Sequence, residues 1–345
     1  MHNNLENQAI IPMKTIGPVK ITGPVVNEEL QVPLATFETP LWPSTNRGAR
    51  VSVKSGGIHT VITDDRMTRS VLVEASNAEK AFETVKFLKS HTDEIKTVVE
   101  GTSGYARFLA LNSEINANMI FIRLEIETGD ASGHNMVTKA ADAFLDWLLN
   151  SVEDLKYISV SGNYCVDKKV SAVNGILGRG KNVIAEMVVT EKICARYLKT
   201  TPEKIVELYI KKNLIGSILS GGIRTANAHF ANILLAFYLA TGQDAANIIE
   251  GSQGFVHAEL RNNDLYFAVT VPNIIVGTVG NGKDFDFVRA NLQNLGCLEK
   301  RKPGDNTKRL AVIAAATVLC GELSLLAALT NKGELMRTHE KMERK

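Results

Sequence analysis

The segment SGNYCVDKK, residues 161–169, carries the densest group of side chains that could perform chemistry. Asp167, Lys168 and Lys169 stand side by side in what reads as a loop. A fixed ammonium group can stabilise a developing negative charge, and a second lysine can grip a carboxylate. The DKK triplet taken alone is more typical of a solvated loop with charged tips. The chemistry is therefore a hypothesis that needs support from other segments.

Three further segments offer such support. ATGQD places Asp244 directly after an apolar stretch at 226–240, where a carboxylate could also be only a helix cap. GDASGHNM, residues 129–136, joins a strand to a helix through small residues, and such a helix start suits a phosphate. Its spacing is not the GxGxxG of a Rossmann fold. GTVGNG, residues 277–282, is a glycine loop that could equally be a simple turn.

The elements that must position these segments are clearest over residues 70–160. Asn77 can cap a helix in which apolar residues recur at helical spacing, and Ile120, Ile122, Leu124 and Ile126 alternate with charged residues. The order is β-α-β-β-α-β, which is the ferredoxin-like arrangement. Strands are predicted at 70–75, 106–111, 118–127 and 157–160, with a hairpin turn around 112–116 and helices over 78–88 and 137–148.

We therefore predict an α+β protein with two units. A large mixed helical and sheet domain comprises residues 1–69 and 161–345, and a small ferredoxin-like domain at 70–160 is inserted into it. In the large domain, residues 1–69 look rich in loops and 192–260 look helical. LYFAVTV at 265–271 is a predicted strand.

Composition excludes several classes of function. A formal net charge of +2 over 345 residues gives no global field that favours nucleic acid. The four cysteines form no CxxC pair, so neither a metal site nor a disulfide framework is predicted. The apolar run at 310–329 is interrupted by Gly321, Glu322 and Ser324, which favours a buried helix over a membrane span. With no segment typical of a signal peptide, we expect a cytoplasmic protein.

Several motifs occur together in one order: ATFE, STNRGAR, DASGHNM, SGNYC with DKK, IKKNLIGS, NAHFANI, ATGQD and VGTVG. In this order they resemble 3-hydroxy-3-methylglutaryl-coenzyme A (HMG-CoA) reductase, over roughly residues 15–340, and SGNYC with DKK resembles the eukaryotic and archaeal class. The resemblance implies two successive hydride reductions of HMG-CoA, giving mevalonate and free coenzyme A. It also implies four catalytic residues: Glu38, Lys168, Asp244 and His339.

The chemistry agrees with the roles that the resemblance implies. Lys168 would stabilise the oxyanion formed by hydride addition, and Glu38 would donate a proton to the alcohol. A nearby Asp244 would raise the pKa of Glu38 and orient Lys168. His339 would protonate the coenzyme A thiolate. His59, His91, His229 and His257 are interpreted as structural or surface groups.

The resemblance also implies sets of binding residues, each of which could alone be an ordinary polar residue. The substrate set contains Arg69, Ser161, Asp167, Lys169 and Lys212 for the hydroxymethylglutaryl group, with Asn227 as an active-site amide. The coenzyme A set contains Ser44, Asn46, Arg47 and Lys199. The cofactor set contains Ser103, Asp130, Asn135, Met136, Gly277, Thr278 and Gly280. A homodimer or homotetramer with active sites at the subunit interface is also implied.

Several positions depart from the family pattern. Thr39, Pro40, Arg224 and Thr225 alter two loops, and Gly104 and His134 stand in the predicted cofactor site. The resemblance implies NADPH as cofactor, but Gly104 replaces a frequent arginine, which weakens the case for a 2′-phosphate and keeps NADH as an alternative. The altered loops keep two other functions open: a catalytically weakened homologue that binds coenzyme A thioesters as a sensor or scaffold, and a reductase of another acyl-coenzyme A.

Overall fold

The computed structural model describes residues 9–343, and for residues 338, 339 and 341–343 it describes the backbone only. The strands are β1 (Met13–Thr22), β2 (Glu28–Ala35), β3 (Ile58–Ala75), β4 (Arg107–Asn116), β5 (Met119–Glu127), β6 (Leu155–Ser159), β7 (Gly180–Val189), β8 (Thr225–Ala226), β9 (Gly254–Arg261) and β10 (Asp264–Ile274).

The longer helices are α1 (Leu41–Lys54), α2 (Ala78–Ser90), α3 (Thr92–Glu100), α4 (His134–Ser151), α9 (Phe230–Ala240), α11 (Asp286–Asn294), α12 (Asp305–Leu329) and α13 (Glu334–Glu343). Short helices are α5 (Ala172–Leu177), α6 (Glu191–Ile193), α7 (Pro202–Leu208), α8 (Ser217–Leu219) and α10 (Ile248–Gly251). Two π-helical segments, Cys194–Leu198 and Tyr209–Gly216, and a 3-10 turn, Ala245–Asn247, complete the described elements.

Strand β3 is shared by two groups of strands. Its first half pairs with β7, from His59 opposite Glu186 to Arg66 opposite Gly180. From Met67 onward it pairs with β5 and β6 instead. The first group has the order β2-β1-β3-β7-β10-β9-β8, and the second has β4-β5-β3-β6, with antiparallel pairs throughout the second. The predicted boundary at residue 70 therefore falls inside a continuous strand.

The second group of strands carries its helices on its apolar face. Ile120, Ile122, Leu124 and Ile126 of β5 are all essentially buried and share a core with residues of α2, α3 and α4, including Phe144. The alternation in β5 puts these four side chains on one face, as the sequence predicted. The predicted hairpin turn was wrong: β4 continues to Asn116, and the chain turns only at residues 117–118.

The misplaced turn has a physical cause. Asn112 looked like a turn residue, but its side-chain amide donates to Glu125 across the hairpin at 2.9 Å, so it is satisfied inside a strand. Residues 1–69 were also wrongly predicted as loop-rich, because β1, β2, α1 and the first part of β3 occupy most of that segment. In β1 a register shift between Ile16 and Val19 breaks the apolar alternation that would have revealed the strand.

The large core surrounds α12. This helix is long and apolar enough to cross a membrane by length and composition, with a mean hydropathy of 2.1, but 94% of that window is buried inside the protein. It packs on α1 so closely that a Cβ on Gly48 would lie 2.0 Å from the Cys320 carbonyl oxygen. The segment predicted as helical to residue 260 instead ends in β9. The close helix pair fixes the start of α1, which borders the site described next.

Candidate active site

The loop between β6 and α5 contains the DKK triplet, and hydrogen bonds to buried polar residues fix its conformation. Arg179 is almost fully buried and donates both to Asp167, at 2.5 Å, and to the Thr68 carbonyl, at 2.8 Å. The backbone N–H of Lys168 points to Glu250 at 3.3 Å, and Lys168 itself has a φ of 54°, in the left-handed region. An uncommon backbone conformation held by buried partners fixes where the lysine side chain leaves the loop.

Lys168 forms an ion pair with Asp244, with 2.6 Å between Nζ and Oδ2. The hydrogen bond to Asp244 raises the pKa of Lys168. Burial by itself would raise the pKa of Asp244, but the hydrogen bonds from Lys168 and from the Ala246 backbone outweigh it and lower that pKa. Both groups are therefore charged near neutral pH, as a cation prepared to stabilise an oxyanion requires. The predicted partnership of Asp244 and Lys168 is present in the structure.

This ion pair lines a cavity of about 510 Å³, which we call the lysine cavity. Besides the predicted catalytic residues Lys168 and Asp244, it brings together several residues predicted to bind substrate or cofactor: Arg69, Asp167, Asn135, Met136 and Gly280. Gly133 lines this cavity directly before α4 and has a φ of 97°. A Cβ at this position would lie 2.7 Å from Thr128 Oγ1. Glycine is required at that position.

Asp167 is held in its ionised form inside this cavity. Burial acts to raise its pKa, but His134, Arg179 and Lys168 act in the opposite direction, and the pKa ends well below its usual range. His134 Nε2 lies 3.6 Å from Asp167 Oδ1. His134, one of the departures from the family pattern, therefore lies in the lysine cavity and contributes to its charge balance.

Three of the predicted cofactor residues do not line the lysine cavity. They form hydrogen bonds that hold the neighbouring backbone segments together. Thr278 donates its N–H to the Asp130 carbonyl at 2.9 Å, and Gly277 donates to the Gln243 side chain at 2.8 Å. The Asp130 carboxylate accepts from the Thr307 N–H, in the first turn of α12, at 3.2 Å. Asp130 thus caps a helix in this structure, an interaction that was not predicted from the sequence.

Ser103 is separate from the lysine cavity. Its hydroxyl accepts the Tyr105 N–H at 3.2 Å, and the neighbouring Gly104 borders another cavity of about 220 Å³. That cavity is also lined by Arg107 and Lys308. Cations therefore lie close to Gly104 even though the arginine frequent in the family is missing there.

Glu38 lines a different cavity, of about 370 Å³, which we call the glutamate cavity. Glu38 Oε2 accepts a hydrogen bond from Asn232 of α9 at 2.8 Å. Its backbone is fixed by the Thr36 hydroxyl, at 3.0 Å, and by the first turn of α1. Leu41, Leu325, Ala328 and Leu335 give this cavity apolar walls.

Two predicted site residues, Asp244 and Asn227, lie outside the glutamate cavity of the same chain. Asp244 was expected beside Glu38, but it lines the lysine cavity and pairs with Lys168. Asn227 was expected to be an active-site amide; it lines neither named cavity, and its Nδ2 donates to the Ser252 and Gly254 carbonyls at 3.0 and 3.1 Å. The amide that meets Glu38 is Asn232, which lies in the NAHFANI motif but was not singled out.

A buried histidine and carboxylate pair was also missed. Glu322 is fully buried in the apolar helix α12, and it accepts from His229 Nδ1 at 2.6 Å and from the Ala228 N–H at 2.8 Å. His229, interpreted from the sequence as structural or surface, lines the glutamate cavity. The sequence did contain a signal for this pair. Glu322 interrupts the apolar run at 310–329, and a buried carboxylate needs a hydrogen-bonding or charged partner.

The residues predicted to contact coenzyme A lie around the start of α1. Ser44 and Arg47 line the glutamate cavity, and both bond to Ser324 of α12, Ser44 at 3.1 Å and Arg47 Nε at 3.0 Å. Asn46 accepts the Gly17 N–H at 2.9 Å. Asn46 and Arg47 also line an adjoining cavity of about 340 Å³, together with Arg50 and Arg196. Lys199 is exposed at the end of the first π-helical segment.

Of the remaining predicted substrate residues, only Arg69 lines the lysine cavity. Ser161 and Lys169 are exposed in the DKK loop, and the Lys169 ammonium donates to the Asp167 carbonyl at 3.1 Å. Arg69 Nε donates to the Val160 carbonyl at 3.2 Å. Lys212, in the second π-helical segment, lines neither the lysine nor the glutamate cavity.

The altered loops have structural explanations. Arg224 lies 5.4 Å from the Phe255 ring and packs over Gly175, where a Cβ would lie 2.1 Å from Arg224 Nε. Arg224 lines neither named cavity, and Thr225 belongs to β8. Pro40 precedes α1 and lines the glutamate cavity, whereas Thr39 is only partly exposed beside it.

The last predicted catalytic residue, His339, lies in α13, but its side chain is outside the described residues. Its role therefore stays a prediction. Within the described part of the chain, no cluster of histidine, cysteine, aspartate and glutamate has the arrangement of a metal site.

The sequence matches the family described as hydroxymethylglutaryl-coenzyme A reductase over residues 1–344. A relative from Pyrococcus horikoshii, 3-hydroxy-3-methylglutaryl-coenzyme A reductase, is 43% identical over 99% of this chain and 84% of its own length. The protein of the same name from Methanocaldococcus jannaschii is 40% identical over 100% of this chain and 85% of its own length. Reductase 1 from Dictyostelium discoideum is 41% identical over 95% of this chain and 60% of its own length.

The fold is similar to that of a class II 3-hydroxy-3-methylglutaryl-CoA reductase from Streptococcus pneumoniae, described as bound to NADPH. The TM-score is 0.75 at 18% identity, over 96% of this chain and 78% of that one. The archaeal and eukaryotic relatives are thus far closer in sequence, in agreement with the class indicated by SGNYC and DKK. This chain belongs to the hydroxymethylglutaryl-coenzyme A reductase family.

Proposed function

We propose that this protein reduces HMG-CoA to mevalonate and free coenzyme A, with Lys168 as the oxyanion stabiliser. The observation that carries this proposal is the Lys168–Asp244 ion pair, which opens onto a cavity large enough for an organic ligand. A thioester carbonyl that accepts a hydride becomes an oxyanion, and a preformed ammonium group stabilises it without reorganisation. The overall reaction consumes two hydrides and two protons, so the site must also supply protons.

The lysine cavity has features that fit a nicotinamide cofactor, which supplies hydride when it is bound. Gly280 presents an open backbone, since a Cβ there would meet nothing within 4 Å. His134 Nε2 is buried and lies 3.6 Å from Asp167 Oδ1, just beyond hydrogen-bond distance, and it has no other hydrogen-bond partner in the described part of the chain. Asn135, Met136 and Gly280 would contact this cofactor, with Gly277, Thr278 and Asp130 forming the wall behind them. The small unit of residues 70–160 would then be a ferredoxin-like cofactor domain inserted into the substrate domain.

NADPH is the proposed cofactor, with NADH as an alternative. Arg107 and Lys308 border the cavity beside Gly104, and they offer cations for a 2′-phosphate where the usual arginine is absent. The carboxylates Asp65 and Glu127 border the same cavity and would instead favour a free ribose hydroxyl. A comparison of turnover with NADPH and NADH decides between them.

Glu38 is the proposed proton donor, and the hydrogen bond that it accepts from Asn232 positions its carboxyl group. Because Glu38 and Lys168 line different cavities of one chain, we propose that a complete active site combines the glutamate cavity of one subunit with the lysine cavity of another. Asp244 would then meet Glu38 across that interface. An apolar surface supports such an assembly, since Ile215 is 49% exposed, Ile218 78% and Leu219 82%.

The assembly would be a homodimer or a homotetramer. Lys212 lies in the same π-helical segment as Ile215, so a subunit interface there would bring Lys212 toward a partner's substrate. Arg69, Ser161, Asp167 and Lys169 would complete the pocket for the hydroxymethylglutaryl group.

Coenzyme A would lie along the start of α1. Ser44 and Arg47 line the glutamate cavity, and Asn46, Arg50 and Arg196 line the basic cavity beside it. Guanidinium groups suit the phosphates of coenzyme A. Lys199 would lie near its outer end, and His339 would protonate the departing thiolate. Four free cysteines, all buried, support a cytoplasmic location, where thiols stay reduced.

The proposal is tested with purified protein, HMG-CoA and either reduced cofactor. Two moles of cofactor oxidised for each mole of mevalonate formed are expected. Tight binding of HMG-CoA without turnover would identify a sensor or scaffold instead, and turnover only with another acyl-coenzyme A would change the substrate.

A further inference from the structure

Lys283 stands immediately after the GTVGNG loop, and its side chain lines the lysine cavity. Neither the motifs nor the roles discussed above give it a function. Its ammonium group donates to the Gly242 carbonyl, two residues before Asp244. The lysine is therefore held at the cavity wall close to the proposed site of hydride transfer.

The charge of Lys283 is not balanced by the protein around it. Lys168, the other lysine of the cavity, pairs with Asp244, whereas Lys283 makes no ion pair within residues 9–343 and has only a neutral carbonyl as its partner. Burial lowers the pKa of Lys283 to about 8, with no nearby carboxylate acting against it. A partly buried cation without a counter-charge is complementary to an anionic ligand.

The position of Lys283 indicates which anionic group it would bind. It shares a loop with Gly280, whose backbone is open to the cavity, and the start of α4 lies on the same cavity wall. Phosphate oxygens are suited to a site that combines a cation with accessible backbone N–H groups. We propose that the Lys283 ammonium binds the pyrophosphate of the nicotinamide cofactor. This inference rests on the proposed cofactor cavity.

The test measures dissociation constants of NADPH and NADH for the full chain by the fluorescence of the reduced nicotinamide. Lys283→Gln is expected to weaken both dinucleotides by roughly tenfold to a hundredfold, the loss typical of a charged hydrogen bond. Lys96→Gln, at an exposed position of α3, is the matched control and should bind as the original chain does. Reduced nicotinamide riboside has no phosphate at all, so its weaker binding should not change.

A pH series adds a second measurement. The affinity of the original chain for NADH should fall as the pH rises above about 8, because Lys283 then loses its proton before the ligand binds. Lys283→Arg stays charged and should lose this dependence. The other ionisable groups around the cavity, which are common to both proteins, are Arg69, His134, Asp167, Lys168 and Asp244.

Each alternative result has a distinct meaning. Equal affinity of Lys283→Gln and the original chain would overturn the inference and leave the proposed function intact. If NADPH binding were lost while NADH binding stayed unchanged, Lys283 would be assigned to the 2′-phosphate, and the pyrophosphate assignment would be contradicted. A raised KM for HMG-CoA with unchanged cofactor affinity would assign it to the substrate carboxylate. If the original chain bound neither dinucleotide, the cofactor cavity itself would be wrong.

Discussion

At the scale of single residues, the proposed chemistry depends on charged side chains whose loop is held in place by buried partners. Lys168 and Asp244 are each partly exposed, but the loop beneath them is fixed by Arg179 and Glu250, which are both buried. The exposed pair can change without disturbing the core, whereas the buried anchors cannot. Substitutions at the two levels should therefore have different effects.

Lys168→Met should remove catalysis while the fold survives. The ammonium serves the transition state, and loss of one such donor reduces kcat by about 100-fold to 1000-fold. The side chain is 37% exposed, so its removal leaves little buried charge unpaired. Steady-state kinetics and thermal unfolding of Lys168→Met, with the exposed Lys192→Met as control, check this expectation. Retention of the original kcat would refute the proposed role.

Asp167→Asn should instead affect stability. Since Arg179 would lose its closer charged partner and keep only Glu250, at 3.6 Å, the free energy of unfolding at pH 7 should fall by about 2 kcal/mol. The pKa of Asp167 is lowered in the folded state, so its contribution is complete above the unfolded value of about 3.9 and is lost as the pH falls below it.

Denaturant unfolding at pH 7 and at pH 3 measures this effect. The difference between Asp167→Asn and the original chain should shrink at the lower pH, and Asp142→Asn, at an exposed position of α4, should show no difference at either pH. A difference that is larger at pH 3 would mean that the carboxylate is not stabilised as an anion.

The sequence was sufficient to find the charged residues but not all of their partners. Asp167, Lys168 and Asp244 were recognisable because they lie in motifs with glycine neighbours, and the structure brings them together. Asn232 and His229 were missed, because neither residue type indicates which cavity it faces, and for His229 the sequence signal lay in its partner, Glu322, which interrupts an apolar run. Their partners, Glu38 and Glu322, are 194 and 93 residues away.

At the scale of secondary structure, the close contact of α1 with α12 positions the glutamate cavity. Ser44 and Arg47 project from α1 to Ser324 of α12, and Glu38 precedes α1. The contact depends on Gly48, because the helix backbones approach too closely for a side chain. A glycine inside a helix reduces its intrinsic stability, so the sequence alone argued against α1 and the packing determines it.

Gly48→Ala should therefore destabilise the protein, although alanine favours helices. The added Cβ would lie 2.0 Å from the Cys320 carbonyl oxygen, so the two helices must separate. We expect a loss of about 2 kcal/mol or more in the free energy of unfolding, as for other overpacked cores. Gly104→Ala, whose Cβ would meet nothing within 4 Å, is the control. An increase in stability for Gly48→Ala would contradict this packing.

The elements that the sequence predicted well are those with uninterrupted periodicity. The alternation in β5 and the apolar spacing of α2 and α4 are regular, and all three elements occur close to their expected positions. The failures in β1, α1 and the β4–β5 turn share a cause. A register shift, Pro43 and Gly48 in a helix, and Asn112 in a strand are local signals that longer-range contacts override.

At the scale of the whole molecule, two cavities that are separate in one chain each hold part of the proposed catalytic set. The lysine cavity holds Lys168 and Asp244, and the glutamate cavity holds Glu38. An assembly of subunits that joins them would also cover the exposed apolar surface around Ile218 and Leu219. The family resemblance implied active sites at a subunit interface, but the sequence of one chain does not show which cavities would meet there, because the proposed contacts lie between chains.

The central claim is that one active site uses Lys168 and Glu38 from different chains, and subunit mixing tests it most directly. Lys168→Met and Glu38→Gln are each expected to be nearly inactive alone. After the two are mixed under conditions that exchange subunits, half of the dimers should be mixed, and each mixed dimer should contain one intact site of two. Activity should therefore return to about a quarter of the original value. Failure to recover activity, despite proven formation of mixed dimers, would place both residues in the active site of one chain.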